Sequence, residues 1–165
     1  MTGPSAHDGR NETELERRDR QFGELLQELR VVQTGVQVLF AFLLGVPFAS
    51  RFTTLDSGQR LLYFVALILS GLSVILLLAP TAWHRLLFTL GDKPHLITVS
   101  QRLAIAGTAC VGLAVIAVVA LISSVLYPGA VAIATTAVVF LATVLLWVVL
   151  PLRRRADDLQ DGRDG

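Results

Sequence analysis

The sequence predicts an all-α fold: a four-transmembrane-helix antiparallel bundle with cytoplasmic helical extensions. Three observations carry this expectation. The 165 residues are 53% hydrophobic and only 16% charged, where an ordinary soluble domain carries about 25% charged residues. Residues 103–152 contain no Asp, Glu, Lys, Arg or His. As a single helix they would measure about 75 Å against a hydrocarbon core of about 30 Å, so the chain must turn back within them. Finally, breakers and charge clusters divide the apolar residues into four stretches, at about 31–49, 61–83, 103–126 and 130–150. Each is close to the ~20 residues that cross a bilayer as a helix. Lipid offers the backbone no hydrogen-bond partner, so these stretches must be helical. The alternating pattern of a transmembrane β-strand is missing.

Residues 1–10 include Gly3, Pro4, Ser5 and Gly9 and read as a disordered N-terminus. Asn11 with Glu14 then fits a capping box. Phe22, Leu25, Leu26, Leu29 and Val32 recur at helical spacing, so one long helix is expected from near Asn11 straight into the first span. Its cytoplasmic part carries Glu12, Glu14, Glu16, Asp19, Glu24 and Glu28, which would oppose an anionic inner leaflet. The apolar stripe is therefore expected to pack on a helical hairpin, residues 84–88 and 95–102, turned at Gly91-Asp92-Lys93-Pro94. Tyr127-Pro128-Gly129 suits a tight turn between the last two spans. Residues 11–155 thus make a single four-span membrane domain, and residues 156–165 a polar C-terminal tail.

Basic residues orient the domain. The N-terminal segment, the loop between spans two and three, and the tail hold twelve of the fourteen Lys and Arg; the opposite side holds only Arg51 and Arg60. Both termini are expected in the cytoplasm, with the chain multi-pass in the cytoplasmic (inner or plasma) membrane. Trp83 and Trp147 then fall near the inner ends of spans, and Tyr63 and Tyr127 near the outer ends, as interfacial aromatics do.

Several functional classes lack their residues. A single cysteine, Cys110, cannot form an intramolecular disulfide. A net charge of +1 provides no basic surface for nucleic acid. Of His7, His84 and His95, the last two flank one hairpin but, without a cysteine nearby and with only Asp92 between them, make a weak metal site and read as surface or capping residues, and no phosphate-binding loop or nucleophile elbow occurs. No enzyme activity, cofactor or metal is expected.

The polar residues inside the spans are few. Gln33 and Gln37 stand four residues apart, with Arg30 one turn earlier, and share a face expected to look into the bundle. They would set helix register through interhelical hydrogen bonds or line a path. In the third span Ala104, Thr108 and Gly112 are small residues four apart, a spacing that lets backbones approach closely. They would pack within the chain or form a homo-oligomer interface, and span four offers a similar small surface at Ala130, Ala132, Ala134 and Thr136. No Asp or Glu lies within a span, which disfavours a proton-coupled carrier built on an intramembrane carboxylate.

Particular strings are familiar: Glu24-Leu25-Leu26-Gln27-Glu28-Leu29-Arg30-Val31, then Gln33-Thr34-Gly35-Val36-Gln37, Ala79-Pro80 with His84-Arg85-Leu86-Leu87-Phe88, Gln101-Arg102-Leu103-Ala104 and Trp147-Val148-Val149-Leu150-Pro151-Leu152. Together they resemble a family of short, four-span actinobacterial membrane proteins defined by a domain of unknown function, some labelled sodium:proton antiporters. Carried onto this chain, the resemblance marks Glu24, Glu28, Arg30, Gln33, Gln37, His84, Arg85 and Arg102, all near the cytoplasmic boundary. These are expected to form one connected polar cluster, with Glu24 and Glu28 facing Arg85 or Arg102. Two functional classes follow. One is a non-enzymatic structural or interaction protein of the lipid bilayer, self-associating through spans three and four, its protein partner unnamed. The other is a small ion transporter, or a transporter subunit, using the Gln33 and Gln37 face.

Overall fold

The computed structural model describes residues 14–87, 93–127 and 129–154. The expected capping box at Asn11, the N-terminal ten residues, the Gly91-Asp92 turn, Pro128 and the tail at 156–165 lie outside the described residues. So do the side chains of Phe22, Leu25 and Leu26.

Four long helices follow one another: α1 (Glu14–Gly45), α2 (Ser57–Leu87), α3 (Lys93–Leu126) and α4 (Ala130–Val144). A wider π-turn at Leu145–Val149 carries α4 on to residue 154. Among the described residues there is no strand. The stretches apolar and long enough to cross a membrane are Leu29–Phe48, Ser57–Trp83, Thr98–Leu126 and Ala130–Arg154. As expected, α1 enters the first of them without a break.

The helix ends follow from local chemistry. Pro47 cannot donate to the helix, and proline also disfavours the α conformation at the residue before it. Accordingly α1 stops at Gly45 and tightens into a 3₁₀ turn at Val46–Phe48. A second 3₁₀ turn, Ser50–Thr54, leads to α2. There Asp56 Oδ1 accepts from the Gln59 N–H at 2.9 Å, and Gln59 Oε1 accepts from the Asp56 N–H at 3.2 Å. This reciprocal capping box starts α2 a full turn ahead of the apolar stretch that begins at Leu61. Before α4, Gly129 adopts φ +90, a left-handed conformation open to glycine and costly for other residues.

Helices α2 and α3 share the most extensive interface; α1 lies mainly on α2, and α4 packs on α3 alone among the described helices. Small residues make the central seam possible. Ala66, Ser70 and Ser73 of α2 and Ala114 of α3 are fully buried. A Cβ on Gly107 would fall 2.8 Å from Leu77 Cγ, so only glycine fits there. The serines spend their hydroxyls on their own helix, Ser70 on the Leu67 carbonyl and Ser73 on the Ser70 carbonyl. The core divides into two clusters. Leu43, Tyr63, Ala66, Ala117 and Leu121 gather at one end, and Leu29, Val36, Leu77 and Ala104 at the other. No residue of α4 is buried.

Candidate functional site

Two prolines interrupt the backbone hydrogen bonding of the first two spans. A proline has no N–H, so the carbonyl four residues earlier loses its α-helical donor. In hydrocarbon bulk water does not replace that donor, and a neighbouring helix or a local adjustment of the turn re-satisfies the carbonyl. Pro47 withdraws the donor from Leu43, and the Tyr63 hydroxyl of α2 donates to the Leu43 carbonyl at 3.0 Å. Tyr63 is buried, and its ring meets Phe52 edge-on with centroids 5.1 Å apart. Pro80, fully buried inside α2, withdraws the donor from Leu76. At the adjacent carbonyl, Leu77, Gln33 Nε2 of α1 donates a hydrogen bond. Thus α2 serves a carbonyl of α1 at one end of the seam, and α1 serves a carbonyl of α2 at the other.

The residues singled out from sequence are distributed unevenly about this seam. Gln33 is half-buried and engaged, whereas Gln37 is exposed and makes no hydrogen bond among the described residues. The two amides therefore do not act as a unit. A step of four residues turns a side chain about 40° round a helix, which carries Gln37 from the flank of the interface to the open side. Glu24 pairs with Arg20 on its own helix at 3.1 Å, both side chains well exposed; such surface pairs contribute little. Arg30 and Arg102 are exposed. The side chains of Glu28, His84 and Arg85 lie outside the described residues.

The small residues of α3 divide their tasks. Ala104 belongs to the core cluster with Leu29, Val36 and Leu77. Thr108 donates to the Ala104 carbonyl at 2.9 Å. Gly112 packs closely on the α4 side, where a Cβ would meet Trp147 Cζ3 at 3.0 Å and Thr143 Cγ2 at 3.2 Å. Cys110 is half-buried. The buried Ser100 hydroxyl has no partner among the described residues.

Sequence reasoning passed over Tyr63, Pro47 and Pro80 as partners. Part of the signal was present: counting back four from Pro47 gives Leu43, which Tyr63 serves, whereas counting back from Pro80 gives Leu76, one residue short of the Leu77 carbonyl that Gln33 reaches. Asp56 and Gln59, three apart, likewise marked the start of α2.

Four membrane-length apolar helices, with side-chain donors turned to backbone carbonyls across the α1–α2 seam, define a multi-pass membrane protein. Residues 11–151 match the model of a family of unknown function, DUF6328, and the chain belongs to that family. The match includes Pro47, Pro80, Tyr63 and Gln33. None of the curated proteins and none of the solved structures matches the chain.

Proposed function

We propose that this protein works by association: a non-enzymatic structural or interaction protein of the cytoplasmic membrane, self-associating, with both termini in the cytoplasm. Gln37 carries the reading. It lies near the middle of the Leu29–Phe48 span, is exposed, and has no hydrogen-bond partner among the described residues. An amide left facing hydrocarbon is costly, and in membranes such groups find partners on other helices. Beside it Val38, Ala41, Phe42 and Gly45 line a shallow apolar depression, and nothing lies within 4 Å of a Cβ built on Gly45. A second copy could therefore approach closely and pair Gln37 with Gln37. The orientation rests on the twelve basic residues of one side against Arg51 and Arg60 on the other.

A cation path along Gln33 and Gln37 has less support. Gln33 spends a donor on the Leu77 carbonyl, and Gln37 turns away from the interior. No Asp or Glu stands within a span to carry a proton. The test is the oligomeric state of the full chain in detergent, by light scattering across a range of protein-to-detergent ratios. Gln37→Leu should weaken association about 5- to 30-fold, the equivalent of 1–2 kcal/mol for an interhelical amide bond. A wild-type protein that is monomeric at every ratio would overturn the reading.

A further inference from the structure

We propose that the groove between α1, α3 and α4 is a binding site for an anionic phospholipid, one acyl chain lying in the groove and the phosphate at arginines on its mouth. The groove encloses about 650 Å³, within the range of about 300–1,000 Å³ typical of ligand sites. It exists because α4 leans on α3 alone, leaving a channel whose other wall is Leu29 and Val32 of α1. Ile105 and Gly112 lie along its floor, with Phe140 and Trp147 on the α4 side.

The walls select hydrocarbon. The hydroxyls in the lining belong to Thr108 and Thr143, and both donate to their own helix, to the Ala104 and Val139 carbonyls at 2.9 and 2.8 Å. Neither needs a polar ligand to satisfy its proton, so a polar molecule would gain little from the lining and lose its hydration. A flexible acyl chain loses nothing polar.

The mouth selects the headgroup. The groove occupies the half of the membrane where α1 and α3 begin their spans and α4 ends its own. Arg102 lies one turn before Ile105 on the same face of α3, and Arg154 lies two turns beyond Trp147 on α4; both are exposed. Residues 93–154 contain no Asp or Glu, so α3 and α4 bring only positive charge to this end, Arg153 included. On α1 the described carboxylate at this end, Glu24, is paired with Arg20 of its own helix at 3.1 Å, and Glu28 is matched in sequence by Arg30. The excess is cationic, as in basic pockets between helices that hold acidic headgroups.

The site is independent of the Gln37 face, so either can fail alone. The test compares phosphatidylglycerol with phosphatidylcholine, added to the full chain in a mild detergent, by thermal melting and by native mass spectrometry of retained lipid. Phosphatidylglycerol should bind about 30-fold more tightly than phosphatidylcholine, equivalent to about 1 kcal/mol for each of two arginines. The Arg102→Gln, Arg154→Gln double variant should bring the two lipids level. Ile105→Trp fills the groove from a residue 71% exposed and should release both lipids without lowering the lipid-free melting temperature. Equal binding of the two lipids by the wild type would overturn the proposal. So would retention of phosphatidylglycerol by Ile105→Trp, or an oligomer that this substitution dissociates with lipid binding unchanged, which would make the occupant a second copy.

Discussion

Between α1 and α2, two side chains cross the seam to main-chain carbonyls: Tyr63 reaches Leu43, and Gln33 reaches Leu77. Between α3 and α4 no such bond forms among the described residues. The threonines of α4 turn instead to their own helix, Thr135, Thr136 and Thr143 donating to the Val131, Ala132 and Val139 carbonyls. The contact there is one of shape, Gly112 against Trp147 and Thr143. Lipid tails are as apolar as leucine, so burial alone does not drive helices together in a membrane. What remains is directional bonding or close packing, and the two outer helices use one each. The prolines explain the asymmetry. Pro47 opens the Leu43 carbonyl that Tyr63 serves, and Pro80 opens that of Leu76, beside the Leu77 carbonyl that Gln33 reaches, whereas α4 has no proline before Pro151, near its end. The carbonyls of α4 that take a second bond take it from threonines of their own helix, which leaves those hydroxyls nothing to donate across to α3.

The comparison can be broken most forcefully at the α2–α3 seam to which both outer helices are attached. Gly107→Val places a Cβ 2.8 Å from Leu77 Cγ and 3.3 Å from Leu76 Cβ, against the side chain of a residue whose carbonyl accepts from Gln33. Overpacking of this kind costs about 3 kcal/mol or more; a strongly lowered melting temperature in detergent is expected, and an unshifted melt would contradict the seam as described. Gln33→Leu acts on α1–α2 alone. It should cost up to about 1.7 kcal/mol, the top of the range for interhelical hydrogen bonds in membranes. Hydrogen exchange should rise around Leu77 and stay unchanged in α4. Gly112→Ala acts on α3–α4 alone, at about 1 kcal/mol, because Trp147 must yield a few tenths of an ångström. The shift should appear in tryptophan fluorescence while the exchange around Leu77 stays as it was. Gly23→Ala should be the smallest effect and opposite in sign. Nothing lies within 4 Å of a Cβ there, ahead of the span beginning at Leu29, so helix propensity alone should stabilise by about 0.5 kcal/mol, read from the melt.

How much of this the sequence discloses depends on whether a feature is local. The four spans are visible because hydrocarbon thickness fixes helix length, and the charge-free run at 103–152 forces a turn. Gly112 is visible as one of a set of small residues four apart, although the partner it meets, Trp147, is not. Gly107, whose contact with Leu77 is the closer one, stands outside that set. The two glutamines look equivalent by spacing. They separate only because α1 crosses α2 with Val36 and Leu43 inward, which puts Gln33 on the flank of the contact and Gln37 beyond it. Tyr63 reads as an interfacial aromatic until its position opposite Leu43 is known. The need for a donor at that carbonyl is written in Pro47, but its supplier depends on how α1 and α2 pack.

The most direct test of this account is a double-mutant cycle on Tyr63 and Pro47, with stability measured in detergent. Tyr63→Phe leaves the Leu43 carbonyl buried without its cross-helix donor and should cost about 1–2 kcal/mol. In the Pro47→Ala background, residue 47 regains an N–H and can serve that carbonyl itself, so the same substitution should cost at least about 1 kcal/mol less. Equal costs in the two backgrounds would show that Tyr63 stabilises the seam by packing alone, and that the proline-vacated carbonyl does not organise it.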